Sequence, residues 1–180
     1  MKILFLTGNA GKLREARQIM GEGVTVESRE IDLPEIQSTR VEDVIEQKLN
    51  AAYAVVRQPV ICEDTGVFIK SMNGFPGALI KFYLEHLGNK GIAELNGGSA
   101  ARAETVIGYH DGTGVTYFKG TLGGTVAARP MGTGFGWDPV FVPKGHDRSL
   151  AQMSPEEKNR ISMRAKAFRK LRKHLRAAAS

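Results

Sequence analysis

The chain opens on a continuous apolar run, KILFL (2–6), the pattern of a short strand covered on both faces. The period then changes to that of a helix, capped by Asn9, running to Met20 and stopped by Gly21. VTVESREIDL (24–33) alternates as a second strand, and this β-α-β start predicts a parallel pair. Thr39-Arg40-Val41-Glu42 has the form of a capping box, with Thr39 as the cap. The helix it opens carries Val41, Val44, Ile45, Leu49, Ala52 and Val55 at near-helical spacing and ends around Arg57, ahead of Pro59. VIC (60–62) reads as a short buried strand, and VFIK (67–70) extends it beyond EDTG.

GFPG (74–77) forces a turn. ALIKFYLEHL then reads as a helix stopped by Gly88, with NKGIAELN as a further short helix. Residues 103–127 are rich in β-branched and aromatic side chains around HDGTG, a hairpin signal. WDPVFVP (137–143) is one more short strand, broken by prolines. Ser154-Pro155-Glu156-Glu157 supplies cap, N1 proline and N3 glutamate for a last helix, which places Ile161, Ala165, Phe168, Leu171 and Leu175 on one stripe. The sum is an α/β chain of one domain (1–180), with parallel pairing at the front and antiparallel ribbons in the middle.

Composition narrows the function classes. The net charge of +6 comes from residues 158–176, which are rich in Lys and Arg and hold no acid. A basic helix face of this kind is more often solvated than bound to a polyanion. No apolar run approaches a membrane span, and MKILFL is too short for a secretory leader. The single cysteine, Cys62, forms neither an internal disulfide nor a zinc cage, which agrees with a cytoplasmic protein.

Three stretches carry candidate chemistry. In LTGNAGK (6–12) a strand ends, two glycines permit close backbone approach, and a helix N-terminus points its free N–H groups outward. Only Asn9 and Ala10 separate Gly8 from Gly11, and Leu13 follows Lys12, so this is not a Walker loop. It is either an anion cradle or a plain strand-to-helix turn. In CEDTG (62–66) strand alternation sends Glu63 and Asp64 to opposite faces, one to a cleft and the other to a structural role. A carboxylate at a buried strand needs a partner or a hard ion such as Mg²⁺. Glu35, flanked by apolar residues, is a second carboxylate for the same ion.

Lys48 falls on the otherwise apolar stripe 41, 45, 48, 52, 55, and Lys81 also sits among apolar neighbours. Each either snorkels to the edge or reaches into a cleft. Together with Lys12 they suit a triphosphate. In TGFGWDPVF (133–141) glycines present Phe135 and Trp137 on an open loop, as a base clamp or as core packing. EKNRISMR (157–164) follows, with Lys158 and Arg164 six positions apart.

Taken in order, TGNAGK, EDTG, GFPG, FGWDPVF and EKNRISMR resemble the inosine triphosphate pyrophosphatase family over nearly the whole chain. The resemblance implies an elongated mixed-sheet fold of two lobes flanked by helices, with a deep central cleft, and usually a homodimer. It implies Mg²⁺-dependent hydrolysis of ITP, dITP and XTP to the monophosphate and pyrophosphate. By motif position, Thr7, Gly8, Asn9, Ala10, Gly11 and Lys12 would bind the phosphates, Glu35 and Asp64 the metal, and Asp64 would be the general base. Thr65, Lys48 and Lys81 would lie along the substrate. Phe135, Gly136, Trp137, Asp138, Lys158, Ser162, Met163 and Arg164 would surround the base. Met163 departs from the family, which usually has histidine there, so one N–H donor to the base is missing or replaced. A pyrophosphatase for modified pyrimidine nucleotides and an RNA-binding protein are the competing readings.

Overall fold

The computed structural model describes residues 1–178. The elements are β1 (Lys2–Leu6), α1 (Ala10–Met20), β2 (Thr25–Arg29), α2 (Val41–Val56), β3 (Val60–Ile69) and β4 (Pro76–Gly77), followed by α3 (Ile80–Asn96), β5 (Ala100–His110), β6 (Val115–Val126), β7 (Phe141–Pro143), α4 (Pro155–Ile161) and α5 (Met163–Ala177). They build one open, mixed seven-stranded sheet in the order β2-β1-β3-β5-β6-β7, with β4 added to β3. β1 pairs in parallel with β2 and β3, and the remaining pairs are antiparallel.

Strand parity sorts the core. Ile3, Phe5 and Ile61 face α1 and α5, packing with Ile19, Phe168 and Leu171. Leu6, Val60 and Cys62 face α2, packing with Val41, Ile45 and Leu49. A third cluster lies under α3 and the far end of the sheet, around Ile69, Ile92, Phe141 and Leu150.

Several expected boundaries move. VIC and VFIK are one ten-residue strand that runs straight through EDTG. β5 pairs along all of β3, with Glu63 opposite Ile107 and Asp64 opposite Val106. β2 covers only 25–29 of the expected 24–33, and β7 only 141–143, because Asp138–Val140 form a short 3-10 turn. α2 is entered from Arg40, which makes no side-chain cap, rather than from Thr39. Ser38 bridges instead, its Oγ accepting from Arg40 N and donating to Asp43. Val55 is exposed, not core.

The last helix is two. Ser162 ends α4 and caps α5, its backbone N–H donating to Lys158 O and its Oγ accepting from Ala165 N at 3.1 Å. α3 spans both expected helices, with a break at Gly88 (φ 62°, ψ 173°), a conformation open to glycine. The Asn9 cap, the Gly21 stop, the Arg57 end and the HDGTG hairpin stand where the sequence placed them.

Candidate active site

One cavity of about 590 Å³ gathers the motifs. Its floor is the end of β1 and the start of α1, where Thr7, Gly8, Asn9 and Lys12 line it. The turn is self-supporting: Asn9 Oδ1 accepts from Lys12 N at 3.0 Å and Thr7 Oγ1 accepts from Asn9 N at 3.1 Å. Ala10 and Gly11 shape the turn without lining the cavity. A Cβ on Gly11 would stand 2.8 Å from the Phe135 ring, so the glycine lets the aromatic loop close over the helix start.

Glu63, Asp64 and Thr65 enter from the middle of β3, and parity divides their tasks. Glu63 turns to the α5 face, fully buried, where Arg164 Nε meets its Oε2 at 2.7 Å. Burial pushes its carboxyl up, but Arg164 and Lys12 outweigh this and hold it at about 2. Asp64 turns the other way, toward Lys12 and the α2 side, and burial raises its carboxyl above the usual aspartate range against the pull of Lys12. Lys12 Nζ lies 3.3 Å from Glu63 Oε1 and 3.5 Å from Asp64 Oδ1. Burial disfavours its charge, yet these carboxylates raise its pKa overall.

Glu35 and Lys48 face each other as an ion pair on the α2 side and both line the cavity. Lys48 therefore reaches into the cleft. Lys81 stands at the rim with an exposed side chain, 4.0 Å from Glu85. Phe135, Gly136, Trp137 and Asp138 form the wall opposite. Trp137 packs edge-on against Phe141 (5.5 Å), which ties the loop to the core. The Phe135 ring lies 5.9 Å from both Lys158 Nζ and Arg164 Cζ.

Of the expected base contacts, Met163 and Arg164 line the cavity, whereas Lys158 and Ser162 stand behind it. Lys158 Nζ bonds Glu15 at 2.6 Å and Asp138 at 2.5 Å, and Ser162 is fully buried as a cap. Asp138 is pushed up by burial and pulled down by Lys158, with burial the stronger. Arg164 gives its N–H groups to Glu63, Glu15 and Thr65.

Sequence reasoning missed Glu15. It occupies the buried face of α1 with Gly11, Ala16 and Ile19, a carboxylate on an apolar stripe, the same signal that marked Lys48. It also missed Glu30, which lines the cavity beside Gly8, and Asn89, whose Nδ2 donates to Gly136 O at 3.0 Å. A surface depression of about 600 Å³ bordered by Lys70, Asn96 and Ser99 holds no carboxylate and no part of these motifs.

Among the described residues no group of three or more His, Cys, Asp or Glu forms a metal cage. Mg²⁺ needs only one or two protein carboxylates when phosphates and waters complete its shell. Asp64 and Glu35, both oxygen donors open to the same cavity, fit that requirement.

The Ham1 family matches residues 3–174. The chain belongs to the Ham1 family. It is 43% identical over 175 residues to a protein of Methanopyrus kandleri named dITP/XTP pyrophosphatase, covering 93% of each chain. It is 38% identical to a protein of Schizosaccharomyces pombe named inosine triphosphate pyrophosphatase, covering 96% of this chain and 94% of that one. The Ham1 protein of Coxiella burnetii superposes with a TM-score of 0.81 at 25% identity, over 98% of this chain and 99% of that structure. The Ham1 protein of Staphylococcus aureus does so with a TM-score of 0.76 at 27% identity, over 99% and 100%.

Proposed function

We propose that this chain hydrolyses nonstandard purine nucleoside triphosphates, ITP, dITP and XTP, to the monophosphate and pyrophosphate in a Mg²⁺-dependent reaction. The observation that carries this reading is the single cavity in which the glycine-rich turn, Asp64, Glu35 and the Phe135–Trp137 wall meet. The names of its Ham1 relatives point to the same substrates.

The glycine-rich turn receives phosphate oxygens on the free N–H groups at the start of α1. Lys12 and Lys48, which lie against Asp64 and Glu35, turn to the phosphates when these arrive. Asp64 and Glu35, freed by that exchange, would hold Mg²⁺, and the ion would supply charge neutralisation for the leaving pyrophosphate. Asp64 orients a water and takes its proton as the oxygen attacks the α-phosphorus. The α–β bridging bond breaks, and the electron pair leaves with the pyrophosphate.

The base lies against Phe135 and Trp137. Hypoxanthine and xanthine present a 6-keto acceptor where adenine presents an amino donor, so an N–H donor from Arg164 or the loop backbone discriminates between them. A buried donor left facing a donor rejects the wrong base by ~10⁴-fold or more. The same reading carries a homodimer and a cytoplasmic setting.

Incubation with ITP, dITP, XTP, GTP, dTTP and ATP, with and without Mg²⁺, tests the proposal by chromatography of the products. Monophosphate and pyrophosphate from ITP, dITP and XTP, far ahead of ATP and dTTP, are expected. Release of orthophosphate, or preference for a pyrimidine, overturns it.

A further inference from the structure

α1 and α5 lie side by side over one face of the sheet, with Ala16, Ile19, Phe168 and Leu171 in the seam between them and the sheet. Their exposed side chains include several cations and no acid. α5 contains no acid, and Glu15, the one acid of α1, is turned inward onto Arg164 and Lys158. Arg14, Arg17, Arg169, Arg172 and Lys173 remain on or beside this surface. Among the described residues none of the five pairs with a carboxylate.

Three of the guanidiniums are nevertheless fixed in place. Arg17 Nε donates to Val26 O at 3.2 Å and Arg172 Nη1 to Ile19 O at 3.1 Å. Arg169 donates to Arg160 O at 3.2 Å and to Asn159 O, at the end of α4. A carbonyl partner orders the side chain but leaves its full charge uncompensated. An array of this kind has lost part of its rotamer freedom before any partner arrives, which lowers the cost of binding.

We infer that this face is a docking surface for the phosphate backbone of a double-helical nucleic acid, separate from the nucleotide cleft. Charge complementarity selects a dense polyanion. Cations one helical turn apart are spaced by about 5.4 Å, and a duplex offers a phosphate on each strand every ~3.4 Å of its axis. The large apolar residues of α1 and α5 are all withdrawn into the core or partly buried, so no wedge is available to enter a membrane. No exposed aromatic side chain lies on either helix, so the platform that single strands stack upon is missing. Binding is therefore expected to be independent of sequence.

The test is fluorescence anisotropy of a labelled DNA duplex with the full chain, titrated between ~50 and ~200 mM salt. Binding is expected, with log K falling against log salt at a slope of about −4.5 for five phosphate contacts. The double variant Arg14→Glu/Lys173→Glu changes two exposed residues whose side chains make no hydrogen bond among the described residues. It should weaken binding at least ~10-fold and flatten the slope by about 2, with ITP turnover and Tm unchanged. If its Tm falls, Lys173→Gln alone should still flatten the slope by about 1. No duplex binding at ~50 mM salt, equal binding by the folded variants, or equal or tighter binding to single strands or to phosphatidylserine vesicles overturns the inference.

Discussion

Glu15 and Arg164, almost the whole chain apart, meet at 2.6 Å, and the other oxygen of Glu15 meets Lys158 at 2.6 Å. One carboxylate from the first helix thus secures two cations from the last two helices, directly behind the wall that faces the cavity.

Glu15→Gln leaves two buried cations short of a counter-charge, and breaking such a network costs ~3–5 kcal/mol. Chemical denaturation at neutral pH should show the loss. The pH dependence gives a second signature. Burial raises the Glu15 carboxyl, but Arg164 and Lys158 outweigh it and hold it below its ordinary value. Its stabilisation is therefore complete above the ordinary glutamate pKa of about 4.3 and disappears as pH falls through the lowered folded value. The variant should lack that acid-side fall in stability.

Asp64→Asn keeps the shape of the strand and removes the base. Turnover of ITP should drop by ~10²–10⁴-fold, with the folded state retained by circular dichroism. Near-parental turnover in the variant would remove Asp64 from the role.

Gly11→Ala adds a methyl 2.8 Å from the Phe135 ring and 3.2 Å from Asn9 Oδ1. The aromatic loop must retreat from the phosphate turn. KM for ITP should rise several-fold while Tm falls little, because the clash lies at the partly exposed cleft and not in the core. An unchanged KM would separate the two loops functionally.

Asn89 ties the second half of α3 to Gly136, and its Oδ1 is buried with no partner among the described residues. Asn89→Ala removes a hydrogen bond of ~0.5–1.5 kcal/mol. That predicts a KM increase of about 2–10-fold with kcat held, measured by initial rates. A fall in kcat alone would contradict a positioning role.

The fold was largely readable because its signals are local. The Asn9 cap, the Gly21 and Arg57 ends, and the hairpin at 110–114 all depend on residues within a few positions of one another. What stayed hidden was chemistry that long-range partners neutralise. The strand alternation of Glu63 and Asp64 is visible in the sequence, but the partners that let them sit in mid-strand, Arg164 and Lys12, are not. The break at Ser162 was hidden by an apolar stripe that looks continuous across it.

The candidate site divides the same way. Thr7, Gly8, Asn9, Lys12, Glu35, Lys48, Asp64, Phe135 and Trp137 line one cavity, whereas Ala10 and Gly11 stand behind its surface. Lys158 and Ser162 do not line it either, since their partners, Glu15 and the first turn of α5, lie outside any short pattern.

The elbow at Ser162 has a practical corollary. Lys158 and Arg164 reach the same carboxylate only because the backbone changes direction once between them. The intervening residues act as a ruler of fixed length. Taking one residue out of the first turn of α5 would rotate the side chains beyond it by about 100°. Substitutions here are therefore a matter of degree, whereas a single-residue deletion would dismantle the support of the cavity wall outright.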